Sequence, residues 1–374
     1  MSKISLLNFR NYPEASFEAD QHVNCFTGPN GSGKTNLLDA IYYLSMTKSY
    51  FSSADNQNIR QGASLFILQG DFVKNGIRET VYAGVKTGQK KQFKINQKEY
   101  ERLADHIGLF PVVMVAPTDQ ELVTEGSETR RKFLDVVISQ YDHNYLEDLI
   151  QYHQILSHRN ALLKDLQRHR EKGGETLDIW DDRLISFGNR IHAKRSVFIS
   201  EFESHFETTY KSIAGTSEPV AVHYESRMNQ EGLRQLLING RQKDIDQGFT
   251  GNGIHKDDLL LQLNGMPAKK FASQGQQKSL VTALKLAQYT YLAARGFTRP
   301  IVLLDDIFDK LDQQRVSRLL HLVTGEHFGQ VFITDTDPNR AAQFFEKTGV
   351  PFKVFHVQEN SIQPLTVLQN EQQQ

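Results

Sequence analysis

The 374-residue chain has little of several features that define other protein classes. Its only cysteine, Cys25, excludes an internal disulfide and fits a reducing compartment. No run of about 18 apolar residues occurs, so no membrane-spanning helix is expected, and residues 1–12 lack the apolar stretch of a signal peptide. Basic and acidic residues number 43 and 44, so DNA binding must come from local patches. We expect a soluble, cytoplasmic protein without a membrane partner.

The chain does contain two kinds of pattern that alternate along its length. Strands are predicted at 23–26, which stops at a glycine loop, at 112–115, which prolines enclose, and at the fully apolar run 301–304. Further strand-like runs occur at 65–72 and 79–85. Residues 36–44 carry a helical pattern of apolar positions. An α/β domain is therefore predicted for residues 1–120 together with 240–374.

Residues 121–239 are predicted to form a helical insert. Leu149, Leu156 and Leu163 recur every seven residues, and a second series with the same interval runs through residues 177–198. Two heptad stretches joined by a glycine turn predict an antiparallel helical hairpin that faces DNA or a partner. Its first helix, of about 27 residues, would be roughly 40 Å long. Two ordinary helices packed on a core explain the pattern equally well.

The strongest motif is G-x-x-x-x-G-K-[ST] at residues 28–35, between a predicted strand and a predicted helix. Its glycines let successive backbone N–H groups point at phosphate oxygens, and the helix N-terminus adds its dipole. Lys34 is expected to reach the terminal phosphates and Thr35 to hold Mg²⁺. The predicted ATP contacts in this segment are Gly28, Pro29, Asn30, Gly31, Ser32, Gly33, Lys34, Thr35 and Asn36.

A second motif is the acidic pair that follows the apolar strand 301–304. A carboxylate at the carboxyl end of a parallel strand faces the crevice where ligands bind. Asp305 is expected to position Mg²⁺, and Asp306 to polarise the attacking water as a general base. Asp306 and Lys34 are thus the predicted catalytic residues. Because acidic residues often end strands, this pair is informative only together with residues 28–35.

A third motif, containing Ser273, Gly275 and Gln276, precedes a helix expected to begin near Ser279. A serine, a glycine and a helix N-terminus form an anion site. Since the chain already has one phosphate loop, we interpret this segment as a cap on the ATP bound by a different protomer. The alternative is a plain N-capped helix after a polar turn.

Together these motifs resemble the ABC-type ATPase heads shared by Rad50 and SMC proteins, and within that class the chain is similar to the RecF family. The resemblance extends in family order through residues 8–12, 30–38, 130–135, 255–259, 275–279 and 304–306. It implies an α/β ABC-type ATPase head with a parallel or mixed sheet and an inserted α-helical arm, with ATP and Mg²⁺ as cofactors. It also adds Arg10 and Asn11 to the ATP contacts and Asp312 to the partner-protomer contacts.

The resemblance implies a weak ATPase that acts as a switch in recombinational DNA repair. Such a protein dimerises on ATP, binds double-stranded and gapped DNA without sequence specificity, and aids recombinase loading with RecO and RecR. An SMC-like or Rad50-like tether would need hundreds of residues of heptads. A transporter-type ATPase subunit would have a histidine where Thr334 and Asp335 follow the last core strand.

Several positions depart from the family pattern or leave its assignment open. Phe51 stands where the family has an arginine, and Lys310 where it has an acid. Either Asp119 or Gln120 fits the magnesium-sensing position of the loop 116–120.

Basic residues near or on the predicted hairpin are the candidate DNA contacts, because Lys and Arg follow phosphates. They are Arg130, Arg131, Lys132, Arg159, Lys164, Arg168, Arg190, Lys194 and Arg195. Acidic residues such as Asp165 and Asp181 interleave with them, a pattern that is also typical of a solvated helical face.

Overall fold

The computed structural model describes every residue except 75, 170–173, 216–217, 296–297, 309–311, 326–327 and 366–374. Contacts divide the chain into two compact units. The first unit comprises Met1–Asp119, Tyr210–Gly215 and Lys278–Gln374, and the second comprises Gln120–Thr209 and Thr216–Gln277. Among the described residues, none of the helices is both long enough and apolar enough to span a membrane.

The elements follow one another in mixed order. The strands are β1 (Lys3–Phe9), β2 (Tyr12–Glu18), β3 (Val23–Thr27), β4 (Leu65–Lys74), β5 (Ile77–Lys86), β6 (Gln92–Ile95), β7 (Lys98–Glu99), β8 (Val112–Val115), β9 (Val220–Glu225), β10 (Asp258–Leu263), β11 (Met266–Pro267), β12 (Ile301–Leu304), β13 (Val331–Asp335), β14 (Phe352–Gln358) and β15 (Ser361–Leu365). The helices are α1 (Lys34–Met46), α2 (Glu121–Thr124), α3 (Ser127–Ser139), α4 (His143–His169), α5 (Gly174–Ala214), α6 (Leu233–Gln247), α7 (Ala268–Phe271), α8 (Gln274–Ala294), α9 (Gln313–Val323) and α10 (Pro338–Thr348).

A six-stranded sheet in the first unit has the order β15-β14-β3-β13-β12-β8. All neighbours pair in parallel except β14 and β15. Strands β3, β8, β12 and β13 are buried along their whole length, which explains why their sequences are apolar runs rather than alternating patterns. Their carboxyl ends lie side by side at one edge, where ligands bind in such sheets.

A second sheet of the first unit is antiparallel, with the order β2-β1-β4-β5-β6-β7. In β1, Ile4 and Leu6 are buried while Lys3, Ser5 and Leu7 are more exposed, the alternation of a sheet with one covered face. Helix α1 contacts strands of both sheets. Every residue of this helix from Leu37 to Met46 is buried, so it forms the core between them.

In the second unit, α4 and α5 run antiparallel. Asp148 pairs with Arg190 near one end, and Arg159 pairs with Asp181 further along, so contacts advance in opposite directions on the two helices. Helix α4 has 27 residues, the length expected from the heptads. Part of the glycine turn predicted between them, at 173, lies outside the described residues.

Helix α6 packs along this hairpin, and this changes the expected boundaries. Arg159 Nη1 donates to Asp244 of α6 at 2.8 Å, and β9 pairs with β10 to enclose residues 226–257 in the second unit. Residues 240–277 therefore belong to the second unit, whereas the sequence prediction placed them in the ATPase head. The hairpin is part of a packed three-helix assembly, the alternative that the heptads left open.

Candidate nucleotide site

The phosphate loop occupies residues 28–33, between the end of β3 and the start of α1. Gly28 has φ 151° and Gly33 φ 106°, values that side-chain-bearing residues rarely adopt. A Cβ at Gly28 would lie 2.2 Å from the Val357 carbonyl oxygen, and one at Gly33 would lie 2.4 Å from Asn11 Nδ2. Glycine is therefore required at both ends of the loop by conformation, and at Gly28 also by the backbone carbonyl that a Cβ would meet.

Lys34 places its charge at the start of the loop. Its Nζ donates to the carbonyl oxygens of Gly28 at 2.7 Å and Pro29 at 2.9 Å. The residue is 9% exposed, so the ammonium group lies in a partly desolvated position. A cation at this point attracts phosphate oxygens more strongly than it would in bulk water.

Thr35 and Asp305 meet although they are 270 residues apart in the chain. Thr35 Oγ1 donates to both Asp305 carboxylate oxygens, at 2.9 and 3.0 Å, and Thr334 Oγ1 donates to Oδ1 at 2.9 Å. Burial raises the pKa of Asp305 above its ordinary value, while these two hydroxyls act in the opposite direction. A hydroxyl and a carboxylate are the hard oxygen ligands that Mg²⁺ prefers, so this donor set fits the ion.

Asp306 lines the same cleft, which has a volume of about 320 Å³ and also includes Lys34, Thr35 and Pro117. Its φ of 53° is a left-handed conformation, and its N–H donates to Thr334 Oγ1 at 2.9 Å. Non-glycine residues adopt this conformation at a cost of about 1 kcal/mol or more and are enriched at functional sites. The backbone thus holds a second carboxylate beside the first.

The two predicted ATP contacts in the β1–β2 turn have different surroundings. Asn11 Nδ2 donates to the Ser32 carbonyl oxygen at 3.2 Å, and Asn11 Oδ1 accepts from Asn36 Nδ2 at 2.6 Å, so Asn11 braces the phosphate loop. Arg10 instead pairs with Asp39 of α1, with Nη2 and Oδ2 at 3.0 Å. Arg10 is not among the residues lining the cleft.

Two buried polar atoms, one in the loop and one beside it, also fit a phosphate ligand. Ser32 Oγ and Tyr12 Oη have no hydrogen-bond partner among the described residues. Buried polar groups are normally hydrogen-bonded. A phosphate held by the loop supplies acceptors for such groups, so the residues present fit ATP.

Comparison with known proteins shows the family of this chain. Residues 1–363 match the family model described as RecF/RecN/SMC N terminal domain. The DNA replication and repair protein RecF of Flavobacterium johnsoniae is 45% identical over 357 residues, which covers 96% of this chain and 99% of that protein. The chain belongs to the RecF family. The fold that the resemblance implied is therefore confirmed.

Solved structures place the RecF-family chain among ABC-type ATPase heads. The recombination mediator protein RecF with ATP, from the RecFOR pathway, matches with a TM-score of 0.87 and 29% identity, covering 98% of this chain and 97% of that one. An Smc head bound to the C-winged helix domain of ScpA matches with a TM-score of 0.56 and 13% identity over 98% of both chains, which shows a shared fold alone.

The Ser273 segment of this RecF-family chain forms a capping box. Ser273 Oγ accepts from the Gln276 N–H at 3.3 Å, and Gln276 Oε1 accepts from the Ser273 N–H at 2.8 Å. Helix α8 consequently begins at Gln274 rather than near Ser279, which corrects the expected start. Gly275 lies in its first turn. Asp312 similarly caps α9 by accepting from the Arg315 N–H at 2.9 Å, while Lys310 lies outside the described residues.

The loop after β8 separates its two candidate sensor residues. Asp119 is 5% exposed, accepts a hydrogen bond from Tyr50 Oη, and accepts another from the Ala116 N–H at 2.7 Å. Gln120, in the second unit, donates from Nε2 to Gln277 Oε1 at 3.1 Å. The departing residue Phe51 packs its ring edge-on against Tyr50, with centroids 5.3 Å apart.

The structure corrects the expectation for two candidate DNA contacts. Arg159 is 0% and Arg195 1% exposed. Arg159 pairs with Asp181 at 2.6 Å, and Arg195 pairs with Asp135 at 2.7 Å. Both arginines project from the heptad face that packs inward, so neither is accessible to DNA. The sequence did carry a signal for this. Arg159 follows Leu156 by three residues and Arg195 precedes Phe198 by three, so each arginine lies on the same helix face as a heptad position.

The other basic candidates fall into two groups. Four are engaged within the second unit, since they pair with carboxylates or a carbonyl: Arg130, Arg131, Arg190 and Lys194. Lys132 is 72% exposed and pairs only with its helical neighbour Glu128 among the contacts described. Lys164 and Arg168 are exposed on α4. Exposed lysine and arginine are the residues that remain as candidate phosphate contacts.

Proposed function

We propose that this chain is a weak, Mg²⁺-dependent ATPase that uses ATP binding and hydrolysis as a switch in recombinational DNA repair. The observation that carries the proposal is the convergence of the phosphate loop, Thr35, Asp305 and Asp306 in one cleft. Lys34 would neutralise the terminal phosphates, Thr35 and Asp305 would hold Mg²⁺, and Asp306 would accept a proton from the attacking water. When bound, Mg²⁺ supplies the charge that stabilises the transferring phosphoryl group.

The test is ATP turnover with and without Mg²⁺ in the wild type and in Asp306→Asn. This variant keeps shape and Mg²⁺ ligation but removes the base, so turnover should fall by at least about 100-fold while ATP affinity is retained. Asp337→Asn, at the cap of α10, is the matched carboxylate control. Wild-type turnover in Asp306→Asn would contradict the assignment.

We further propose that ATP drives homodimerisation, with Ser273, Gly275, Gln276 and Asp312 contacting the ATP of the partner protomer. Support comes from the first turn of α8, whose N–H groups and dipole suit an anion. The dimer would act in the cytoplasm with RecO and RecR, as the RecFOR pathway of the solved relative suggests.

Double-stranded and gapped DNA are the proposed nucleic-acid ligands, which the protein would bind without sequence preference. Lys132, Lys164 and Arg168 are the exposed cations that support this. Phosphate-dominated binding makes log K fall linearly with log salt, with a slope of about 0.9 per phosphate neutralised. A salt titration with ATP should show this slope for several unrelated duplexes, and a flat response or preference for one sequence would contradict it.

A further inference from the structure

A buried polar cluster that the steps above do not use lies in the first unit. It consists of Tyr50, Asp119 and Lys285 and is called the buried triad below. Asp119 accepts from Tyr50 Oη, and its carboxylate lies 3.6 Å from Lys285 Nζ. Lys285 Nζ also donates to Tyr50 Oη at 3.2 Å and lies 5.2 Å from the centre of its ring. Asp119 and Lys285 are each 5% exposed.

Because both charges of the triad are buried, each side chain must stay paired with the other. Desolvation lowers the pKa of Lys285, and the Asp119 carboxylate opposes that shift. A buried carboxylate or ammonium is tolerated only when a partner and hydrogen bonds compensate for the lost water. The three side chains come from the segment after α1, the loop after β8 and helix α8, so the pairing ties these elements together.

The loop held by the triad forms part of the ATP cleft. Asp119 Oδ2 accepts from the Ala116 N–H at 2.7 Å, which closes the loop 116–119 on itself. Pro117, inside this loop, lines the cleft with Thr35 and Asp305. A shift of Asp119 would therefore move one wall of the cleft.

The triad also connects to Arg10, one of the two predicted ATP contacts in the β1–β2 turn. The Tyr50 N–H donates to Asp39 Oδ1 at 2.8 Å. Asp39 Oδ2 accepts from Ser49 Oγ at 2.7 Å and from Arg10 Nη2 at 3.0 Å. Since Asp39 is 0% exposed, Tyr50 is fixed from the backbone side as well as through its hydroxyl.

We propose that Tyr50 and Lys285 are positioning residues for ATP hydrolysis, which hold the loop 116–119 through Asp119 and so place Pro117 in the wall of the cleft. In this arrangement Asp119 is the anchor of the loop. The inference rests on the proposed ATPase function.

The test compares Tyr50→Phe, which removes one hydroxyl and keeps the ring, with Tyr43→Phe. Tyr43 donates to Asp55 at 2.7 Å and makes the matched tyrosine–carboxylate control outside the triad. Two quantities are measured: hydrogen exchange of the Ala116 amide without ATP, and kcat separately from the Kd for ATP. In Tyr50→Phe we expect Ala116 exchange to rise and kcat to fall, each about tenfold, because small displacements of positioning groups slow catalysis. Kd should stay within about twofold, and Tyr43→Phe should change neither kcat nor Ala116 exchange.

Lys285→Met with Asp119→Asn is the second variant, because it removes both charges and leaves none unpaired. It should be more stable than Lys285→Met alone and should also lose kcat with Kd retained. Unchanged Ala116 exchange in Tyr50→Phe would overturn the anchor. Faster exchange with unchanged kcat would overturn the positioning role. Absence of wild-type turnover would instead remove the proposed function, and the exchange measurement, which needs no ATP, distinguishes that failure from a failed anchor.

Discussion

At the scale of single residues, the candidate nucleotide site contains two charged side chains that are largely buried. Lys34 is a lysine held almost out of solvent by two carbonyl groups of its own loop. Asp305 is a carboxylate whose pKa burial raises. Both residues line the cleft that is proposed to hold ATP and Mg²⁺.

The first prediction concerns the charge of Lys34. Lys34→Ala should abolish detectable ATP binding and leave the fold intact, because the lost contacts are to loop carbonyls rather than to the core. Equilibrium binding of labelled ATP and a thermal unfolding curve measure the two effects. Lys243→Ala, on the exposed side of α6, is the control. ATP affinity near that of the wild type would refute the phosphate-loop assignment.

At the scale of elements, buried ion pairs join the helices of the second unit. Arg159 of α4 contacts Asp181 of α5, Asp244 of α6 and Thr250, each within 2.8 Å. A guanidinium is suited to this position because its rigid set of donors reaches several acceptors at once. The residue that the charge pattern assigned to DNA therefore stabilises the helical assembly.

Removal of this guanidinium should act on stability. Arg159→Ala leaves Asp244 buried without a cation and leaves Asp181 with Arg241 alone, so the free energy of unfolding should fall by about 3–5 kcal/mol. Urea unfolding measures this. Arg168→Ala, on the exposed face of the same helix, should change stability by less than about 0.5 kcal/mol. If both variants are equally stable but Arg159→Ala loses DNA binding, the burial-based assignment is wrong.

At the scale of the whole molecule, ATP is expected to control association of two chains. A ligand shifts an equilibrium only by its differential affinity for the two states. ADP lacks the γ-phosphate and should promote dimers poorly, so hydrolysis would release the dimer. Dimers of Asp306→Asn should accumulate, because hydrolysis is slow. Ser273→Arg should block dimerisation, because the arginine is bulky and its positive charge would face Lys34 of the other protomer.

Analytical ultracentrifugation with ATP and with ADP measures the association. Because Ser273 also caps α8, its loss costs about 1 kcal/mol of helix stability in any case. Ser226→Arg is the matched control, since Ser226 caps a short helical turn by accepting from the Met228 N–H. Dimerisation of Ser273→Arg like that of the control would mean that Ser273 is a helix cap alone.

Acid stability is a second whole-molecule property. Burial lowers the pKa of His106 from 6.5 to about 4, with Nε2 facing the Leu44 carbonyl oxygen at 2.7 Å. The unfolded chain therefore binds the proton first as pH falls. The contribution of His106 to the free energy of unfolding is therefore complete above pH 6.5 and is lost progressively towards pH 4. The loss from this group amounts to at most about 3 kcal/mol. The free energy of unfolding, measured from pH 7 to 4.5, should depend less steeply on pH in His106→Gln than in the wild type. An equally steep dependence in the variant would contradict this.

Local patterns in the sequence were sufficient for the parts of the protein that are local in the chain. The phosphate loop at 28–33, the strands at 112–115 and 301–304 and the length of α4 follow from motifs or periodicities within about 30 residues. Steric limits on glycine and the burial of apolar runs act at that range. The family resemblance extended these predictions to the ATPase head, because its motifs occur in order along the chain.

The tertiary structure alone decided which distant side chains meet. Thr35 contacts Asp305 because parallel strands far apart in the chain end at one edge, and Lys285 reaches Asp119 because α8 packs beside the loop after β8. Arg159 and Arg195 are buried because carboxylates on neighbouring elements neutralise them, so their basic character did not predict their exposure. Composition specifies which charges a chain carries, and long-range packing determines which of them are paired, buried or open to a ligand.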